Sequence, residues 1–308
     1  MSGSDLRFYL VDVFTTEPLN GNPLAVVVGG QNLSLEVMQR IAREFNQSET
    51  TFILAPTRGD ANWRLRSFTP TGAEVFGVGH NALGAWWWLA ESGRLKCRSG
   101  RKAFVQEIGE GIFSVIVNWE AKRPTSVAME QSPSKTGCAV EDFPGLARAL
   151  GLDLPDLVTE HLPTQVVSTG AAHLLVPLRS WRAVDRVRAN AEALLSILQS
   201  VHGQGCYVFS LDVPTPGTNA YARFFNPTAG ISEDPATGSA AGPLACHLAA
   251  HGVVQRNGTI VVEQGTAMGR RSLIHAHLND GVVQIFGAGV VVARGILQLK
   301  STSGKGPP

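Results

Sequence analysis

Two stretches of the chain are copies of one another: RSFTPTGAEVFGVGHNALGAWWWLAESG at 66–93 and RFFNPTAGISEDPATGSAAGPLACHLAAHG at 223–252. Each runs from an Arg and aromatic residues (Arg66 and Phe68; Arg223 and Phe225) into a Pro two residues later. An acidic, small-residue loop follows, and then Gly with small residues opening an apolar, helix-like run. Pro70 matches Pro227 and Gly84 matches Gly242, with a single residue's difference in register between the two matches. Self-similarity at a fixed offset constrains the fold more than any local propensity. Here it predicts two similar domains, each offering one loop and one helix start to a shared site.

The remaining pattern agrees with a duplicated plan. In the first half, Phe8–Phe14, Leu24–Val28, Thr50–Leu54 and Trp63–Phe68 read as strands, with Asn20-Gly21-Asn22-Pro23 as a turn. Ser34 reads as an N-cap, and Met38, Ile41, Ala42 and Phe45 fall at helical spacing, so 35–45 is an amphipathic helix. The run from Asn81 to about Glu91 is apolar nearly all round and must be enclosed by protein. A hairpin follows, Lys102–Ile108 and Ile112–Val117.

In the second half, Thr164–Ser168 and His173–Pro177 flank Gly170 as the first strands flank Gly21. Ala189–Ser200 is the matching amphipathic helix, Cys206–Leu211 a strand and Ser239–Ala250 the second enclosed helix. Thr259–Glu263, Ser272–His277, Val282–Phe286 and Val290–Leu299 close as a meander. Lys122-Arg123-Pro124 breaks the strand pattern, which sets the expected domains at 1–124 and 125–300, with the last strand free to pack on the first domain and 301–308 a flexible tail.

Charge and cysteine usage exclude several classes of function. With 26 basic and 25 acidic residues in 308, the net charge of +1 gives no field for nucleic acid or an anionic membrane. No apolar run reaches the ~18–20 residues of a spanning helix. Cys97, Cys138, Cys206 and Cys246 have no CxxC spacing and no signal peptide precedes them, so reduced thiols in a cytoplasmic protein are expected. The eight His show no HExxH, and there is no GxSxG elbow, GxGxxG or Walker A sequence. Neither metal nor cofactor is expected.

Several residues nonetheless have the character of a site. Glu49, between a helix end and an incoming strand, is by type alone a solvated loop carboxylate; partial burial would make it a general acid/base. His80, in Gly79-His80-Asn81, is by type a cap or core histidine. A Gly-rich helix start also presents free amides and the positive dipole end to an anion. Thr237-Gly238-Ser239 opens the second helix in the same manner. Asp234, just before it, is a loop or capping Asp, or a partner for His80 and the substrate. Trp86-Trp87-Trp88 reads as packing.

Taken together, DVFT…GNPLAVV at 12–28, QRIAREFNQSET at 39–50, FTP at 68–70, GH at 79–80, VSTG at 167–170, EDPATGSA at 233–240 and QG…MGR at 264–270 resemble the PhzF-like family, named for the phenazine-biosynthesis isomerase, within the diaminopimelate-epimerase-like fold. The resemblance spans nearly the whole chain. It implies an α+β protein of two pseudo-symmetric domains, each a curved, mostly antiparallel sheet around a central apolar helix. It implies a cofactor-free isomerisation that moves a proton on a small carboxylate-bearing metabolite, in a homodimer. Catalytic roles fall on Glu49 (acid/base), His80 and Asp234, and substrate contacts on Ser48, Gly79, Asn81, Thr237, Gly238 and Ser239.

Two departures from the family pattern matter. Epimerases of this fold carry a thiol in each half where this chain has Val78 and Thr237, so two-thiol racemisation is not expected. Asn81 stands where Ala or Pro is commoner, which bears on substrate identity. Two other functions are weighed against the isomerase. A binding or scaffolding protein would keep the fold but has no need of a titratable set. A Ser239/His80/Asp234 hydrolase lacks the strained elbow that exposes a nucleophile.

Overall fold

The computed structural model describes residues 6–299 apart from 78, 98 and 159; the expected tail at 301–308 lies outside them. Among the described residues eighteen strands link through hydrogen bonds into one sheet system, and six α-helices accompany it. The helices are α1 (Leu35–Phe45), α2 (His80–Glu91), α3 (Phe143–Leu150), α4 (Trp181–Arg186), α5 (Ala191–Ser200) and α6 (Gly238–Ala250). This is the mixed α+β class that the duplicated sequence predicts.

The duplication is visible residue by residue. Strands Asn22–Val28 and Glu49–Leu54 run parallel with α1 between them, and Ala172–Pro177 and Gly205–Ser210 run parallel with α4 and α5 between. Arg66 donates to both carboxylate oxygens of Glu74 at 2.7 and 2.8 Å, and Arg223 does the same to Glu233, both at 2.8 Å. Such fork-to-fork pairs fix direction as well as distance. Here each ties a strand to the loop that leads into a central helix. Asn62 Oδ1 accepts from the Val105 amide at 2.8 Å, as Asn219 Oδ1 does from Val261 at 2.8 Å.

The two central helices account for most of the core. Every residue of α2 except Glu91 is buried, and one continuous apolar cluster takes in α2, α6 and the sheet faces around both. Trp86 is fully enclosed, and its indole N–H finds Gln106 Oε1 at 2.8 Å. Gly84 is required by close approach, since a Cβ there would lie 2.6 Å from Leu24 Cδ2 and 2.7 Å from Val13 Cγ2. Gly242, its match in α6, is closer still to its neighbour, since a Cβ there would overlap the Gln131 side chain. Smaller cores lie under α1 (Met38, Ile41, Ala42 with Phe52 and Phe68) and under α3–α5 (Leu146, Leu150, Leu194, Leu198).

Several local expectations need correction. Lys122-Arg123-Pro124 does not break the strand pattern: Ala121 and Lys122 form a tight turn at φ 47° and 69°, and Arg123–Glu130 is a strand. That strand pairs with Gly111–Glu120 on one side and Val282–Gly287 on the other. Strand Gly289–Leu297 lies antiparallel to Leu6–Val13, so the last described strand pairs with the first. α2 and α6 each begin one residue earlier than the sequence pattern gives, and α5 begins at Ala191 because Asn190 caps it. Helices α3 and α4 and the strands Lys135–Ala139, Ala220–Asn226 and Ile231–Asp234 were not anticipated.

Candidate active site

Glu49 is the first residue of its strand, placed there by the left-handed Asn46 (φ 49°) that ends α1. The Glu49 side chain is partly buried at the edge of the cleft, with Oε2 fully enclosed. Burial, with the negative charge of Asp234 added, pushes the Glu49 pKa up to about 8. His80, the first residue of α2, places Nε2 3.9 Å from Glu49 Oε2. Burial pulls the His80 pKa down to about 4. At neutral pH the pair is therefore a carboxylic acid beside a neutral imidazole, and the 3.9 Å gap is too long for a hydrogen bond between them. Both Glu49 Oε2 and His80 Nε2 are buried without a partner among the described residues.

Asp234, by contrast, is fully engaged. It ends strand Ile231–Asp234 and accepts from Asn22 Nδ2 at 2.9 Å, from Thr237 Oγ1, and from Ser48 Oγ at 3.5 Å. Burial raises its pKa to about 6 against the pull of those three donors, so it is ionised at neutral pH. Gln264 stabilises the same corner: Nε2 donates to the Asp234 carbonyl at 2.7 Å and Oε1 accepts from the Thr237 amide at 3.2 Å. Two carboxyls thus share the site with opposite assignments, one holding a proton and one holding charge.

A cavity of about 220 Å³ joins these groups, lined by Ser48, Glu49, Gly79 and His80 from the first half and by Asp234, Thr237, Gly238 and Ser239 from the second. The starts of α2 and α6 therefore open onto one cleft. Among the described residues no hydrogen bond takes the amides of His80, Asn81, Gly238 or Ser239. Unpaired amides at two converging helix starts favour an anion by charge and by direction.

Two sequence expectations shift in detail. The Gly79 amide is already taken by Asn81 Oδ1 at 2.9 Å. The Asn81 side chain turns inward, donating to Ser67 Oγ and the Gly77 carbonyl, both at 3.1 Å. Asn81 thus does not line the cleft, and its carboxamide is spent inside the loop that opens α2. Its side chain does the work of a cap that Gly79 lacks. The position of Val78 lies outside the described residues.

Sequence reasoning missed several contributors. His173 and Phe224 line the cavity with their rings edge to face, centroids 4.9 Å apart. His173 Nε2 lies 3.3 Å from Ser239 Oγ. Asn22, read only as a turn residue, bridges Asp234 and the Ala236 carbonyl. Arg270, in the closing motif, binds the carbonyls of Asn20 and Gly21 and the buried carboxylate of Asp12. Among the described residues no cluster of three or more His, Cys, Asp or Glu has the arrangement of a metal site, and no helix is long and apolar enough to cross a membrane.

Comparison with known proteins bears on this geometry. Residues 11–295 match the PhzC-PhzF family model, described as phenazine biosynthesis-like protein. The chain is 33% identical over 299 residues to a trans-2,3-dihydro-3-hydroxyanthranilate isomerase of Pseudomonas chlororaphis, covering 95% of this chain and 99% of the relative. It is 31% identical over 303 residues to an uncharacterized isomerase of Clostridium acetobutylicum, covering 95% and 98%. A PhzF-family crystal structure from Bacillus anthracis superposes with a TM-score of 0.86 at 26% identity, covering 96% of this chain and all of the other. A hydroxyproline epimerase from Agrobacterium vitis shares the fold with a TM-score of 0.67 at 14% identity, covering 98% and 94%.

Proposed function

This chain belongs to the PhzC-PhzF, phenazine biosynthesis-like family and is an isomerase; we propose that it relocates a proton on a small carboxylate-bearing metabolite, with Glu49 as general acid/base and no cofactor in the step. The observation that carries this reading is Glu49 Oε2, buried and unpartnered beside the free amides of two helix starts.

The substrate carboxylate binds at the amides of His80, Gly238 and Ser239. Ionised Glu49 removes a proton from a carbon conjugated with that carboxylate. The electron pair delocalises into it, and the helix-start amides hold the growing charge without reorganising. Glu49, now the acid, returns the proton to a carbon further along the conjugated system. One C–H bond breaks and one forms, so no redox partner enters the balance. With a pKa of about 8, roughly a tenth of Glu49 is ionised at pH 7. His80, neutral and 3.9 Å away, gives the transferring proton a polar neighbour that does not compete as a base. Asp234 orients Ser48 and Thr237, and its charge keeps Glu49 basic enough to take a proton from carbon.

A dihydroanthranilate, named for the Pseudomonas chlororaphis relative, is a ring carboxylate of the kind this mechanism needs. Trans-2,3-dihydro-3-hydroxyanthranilate is therefore the first compound to test. Proton NMR of its mixture with enzyme in D2O should show the ring C–H pattern of an isomer of equal mass apart from exchanged deuterium. An unchanged spectrum across a panel of unsaturated ring carboxylates would refute the reading. The four unpaired cysteines fit a reducing, cytoplasmic setting, and family likeness argues for a homodimer, which sedimentation would test.

A further inference from the structure

His173 belongs to the apolar strand Ala172–Pro177, is 3% exposed, and has no place in the proton-transfer scheme above. Its ring is held between Phe224 and the neighbouring parallel strand, in which Gly205 is its register partner. Nδ1 is buried and has no hydrogen-bond partner. It faces Gly205, where a Cβ would sit 3.2 Å from it and 2.4 Å from Phe224 Cζ, so a larger residue there would push on the ring pair. Nε2 points the other way, to Ser239 Oγ at 3.3 Å.

The ring is neutral down to a pKa of about 4, because burial removes it from water. A neutral imidazole carries its one proton on either nitrogen. A proton on Nδ1 would be a buried donor aimed at a glycine Cα, at the full cost of an unmade hydrogen bond. A lone pair there costs less, being only an acceptor without a partner. The proton therefore belongs on Nε2, where Ser239 accepts it. With its oxygen engaged, the Ser239 hydroxyl must donate its own proton elsewhere, and Ser239 lines the cleft.

We infer that His173 is a positioning residue: it fixes Ser239 as a hydrogen-bond donor into the cleft, and so selects ligands that place an acceptor such as a carboxylate oxygen at the start of α6. This deepens the proposed function, on which it rests for the carboxylate. The hydroxyl adds direction to the adjoining amides of Gly238 and Ser239, which favour any anion. A ligand offering a donor at that point, such as a primary amide turned the wrong way or an ammonium, would meet a second donor and be rejected.

The test uses the intact protein and benzoate, a planar ring carboxylate. Long-range proton–nitrogen NMR of the wild-type protein should show the His173 Nε2–H tautomer; an Nδ1–H tautomer overturns the inference outright. By calorimetry, His173→Phe should weaken benzoate about three- to tenfold, the worth of one oriented hydrogen bond. His173→Gln, whose amide can still donate to Ser239, should recover most of it. Ser239→Ala should lose a similar amount, and His173→Phe added to it should cost nothing further, because His173 acts through Ser239. Equal losses from His173→Phe with and without Ser239 would mean simple packing and contradict the inference, as would failure of the wild type to bind benzoate. The tautomer and coupling results stand apart from turnover: both as expected, with no isomerisation of any substrate, would sink the proton-transfer reading and leave this one.

Discussion

Glu49 Oε2 and His80 Nε2 face each other across 3.9 Å, and neither atom has a hydrogen-bond partner among the described residues. Buried polar atoms are almost always paired in native proteins, and exceptions ask for a reason. In the mechanism we propose, both atoms are left open for a substrate in the space between the helix starts. The two groups are also displaced in opposite directions, the carboxyl up to about 8 and the imidazole down to about 4.

The pH dependence of turnover follows from that displacement. Proton abstraction needs ionised Glu49, so kcat/KM should climb tenfold per pH unit below about 8 and level off above it. Removing the Asp234 charge with Asp234→Asn should move that bend to lower pH, since Asp234 is one cause of the raised value. A profile falling through pH 7–8 would mean that Glu49 enters the reaction as an acid.

Stability should carry the same signature. The Glu49 pKa is raised on folding from 4.5 to about 8, so the folded state keeps a proton that the unfolded state releases. Its contribution is complete below pH 4.5 and is lost as pH rises to about 8. Glu49→Gln removes the titration, so it should gain stability relative to wild type across that window, on the order of a few kcal/mol. Urea midpoints at pH 5 and pH 8.5 measure it. A difference between variant and wild type that does not change with pH would show that Glu49 is not buried as described.

Arg270 supplies a structural prediction. Its guanidinium meets the buried Asp12 at 2.6 Å while holding two carbonyls of the loop that precedes Asn22. Arg270→Met leaves Asp12 charged and uncompensated, which should cost about 3–5 kcal/mol in denaturant unfolding. Adding Asp12→Asn should restore part of the loss. Additive losses in the double variant would show that the pair does not act as a unit.

The thiols should be dispensable to chemistry. Cys206 is buried in the core under α3–α5, Cys138 is exposed, and none of the four lines the cleft. Replacing Cys97, Cys138 and Cys246 by Ser and Cys206 by Ala should leave turnover within a few-fold of wild type. A folded variant that has lost its turnover would contradict the proton-transfer scheme.

Legibility in the sequence followed physical pattern. α1 was readable because Ser34 caps it and Met38, Ile41 and Ala42 recur at its period. α2 and α6 were readable because nothing but enclosure explains so apolar a run. Strand Lys135–Ala139 was not: every residue is exposed, and only backbone pairing with Gln165–Ser168 makes it a strand. Glu49 could be singled out only through the motif around it, because burial of a lone carboxyl leaves no local trace. His173 hides among core residues of an apolar strand, and only the register with Gly205 and the reach to Ser239 bring it to the cleft. Asn81 misled in the other direction, since a polar residue at a helix start can cap its own loop.

The most direct test of the account compares wild type and Glu49→Gln on a substrate that the wild type isomerises. Turnover and uptake of solvent deuterium would be measured together with binding by calorimetry. The account predicts that Glu49→Gln loses ~10²–10⁴-fold in rate while the substrate still binds, since the amides of α2 and α6 are untouched. Turnover and exchange undiminished in Glu49→Gln would contradict it, and another group would have to carry the proton.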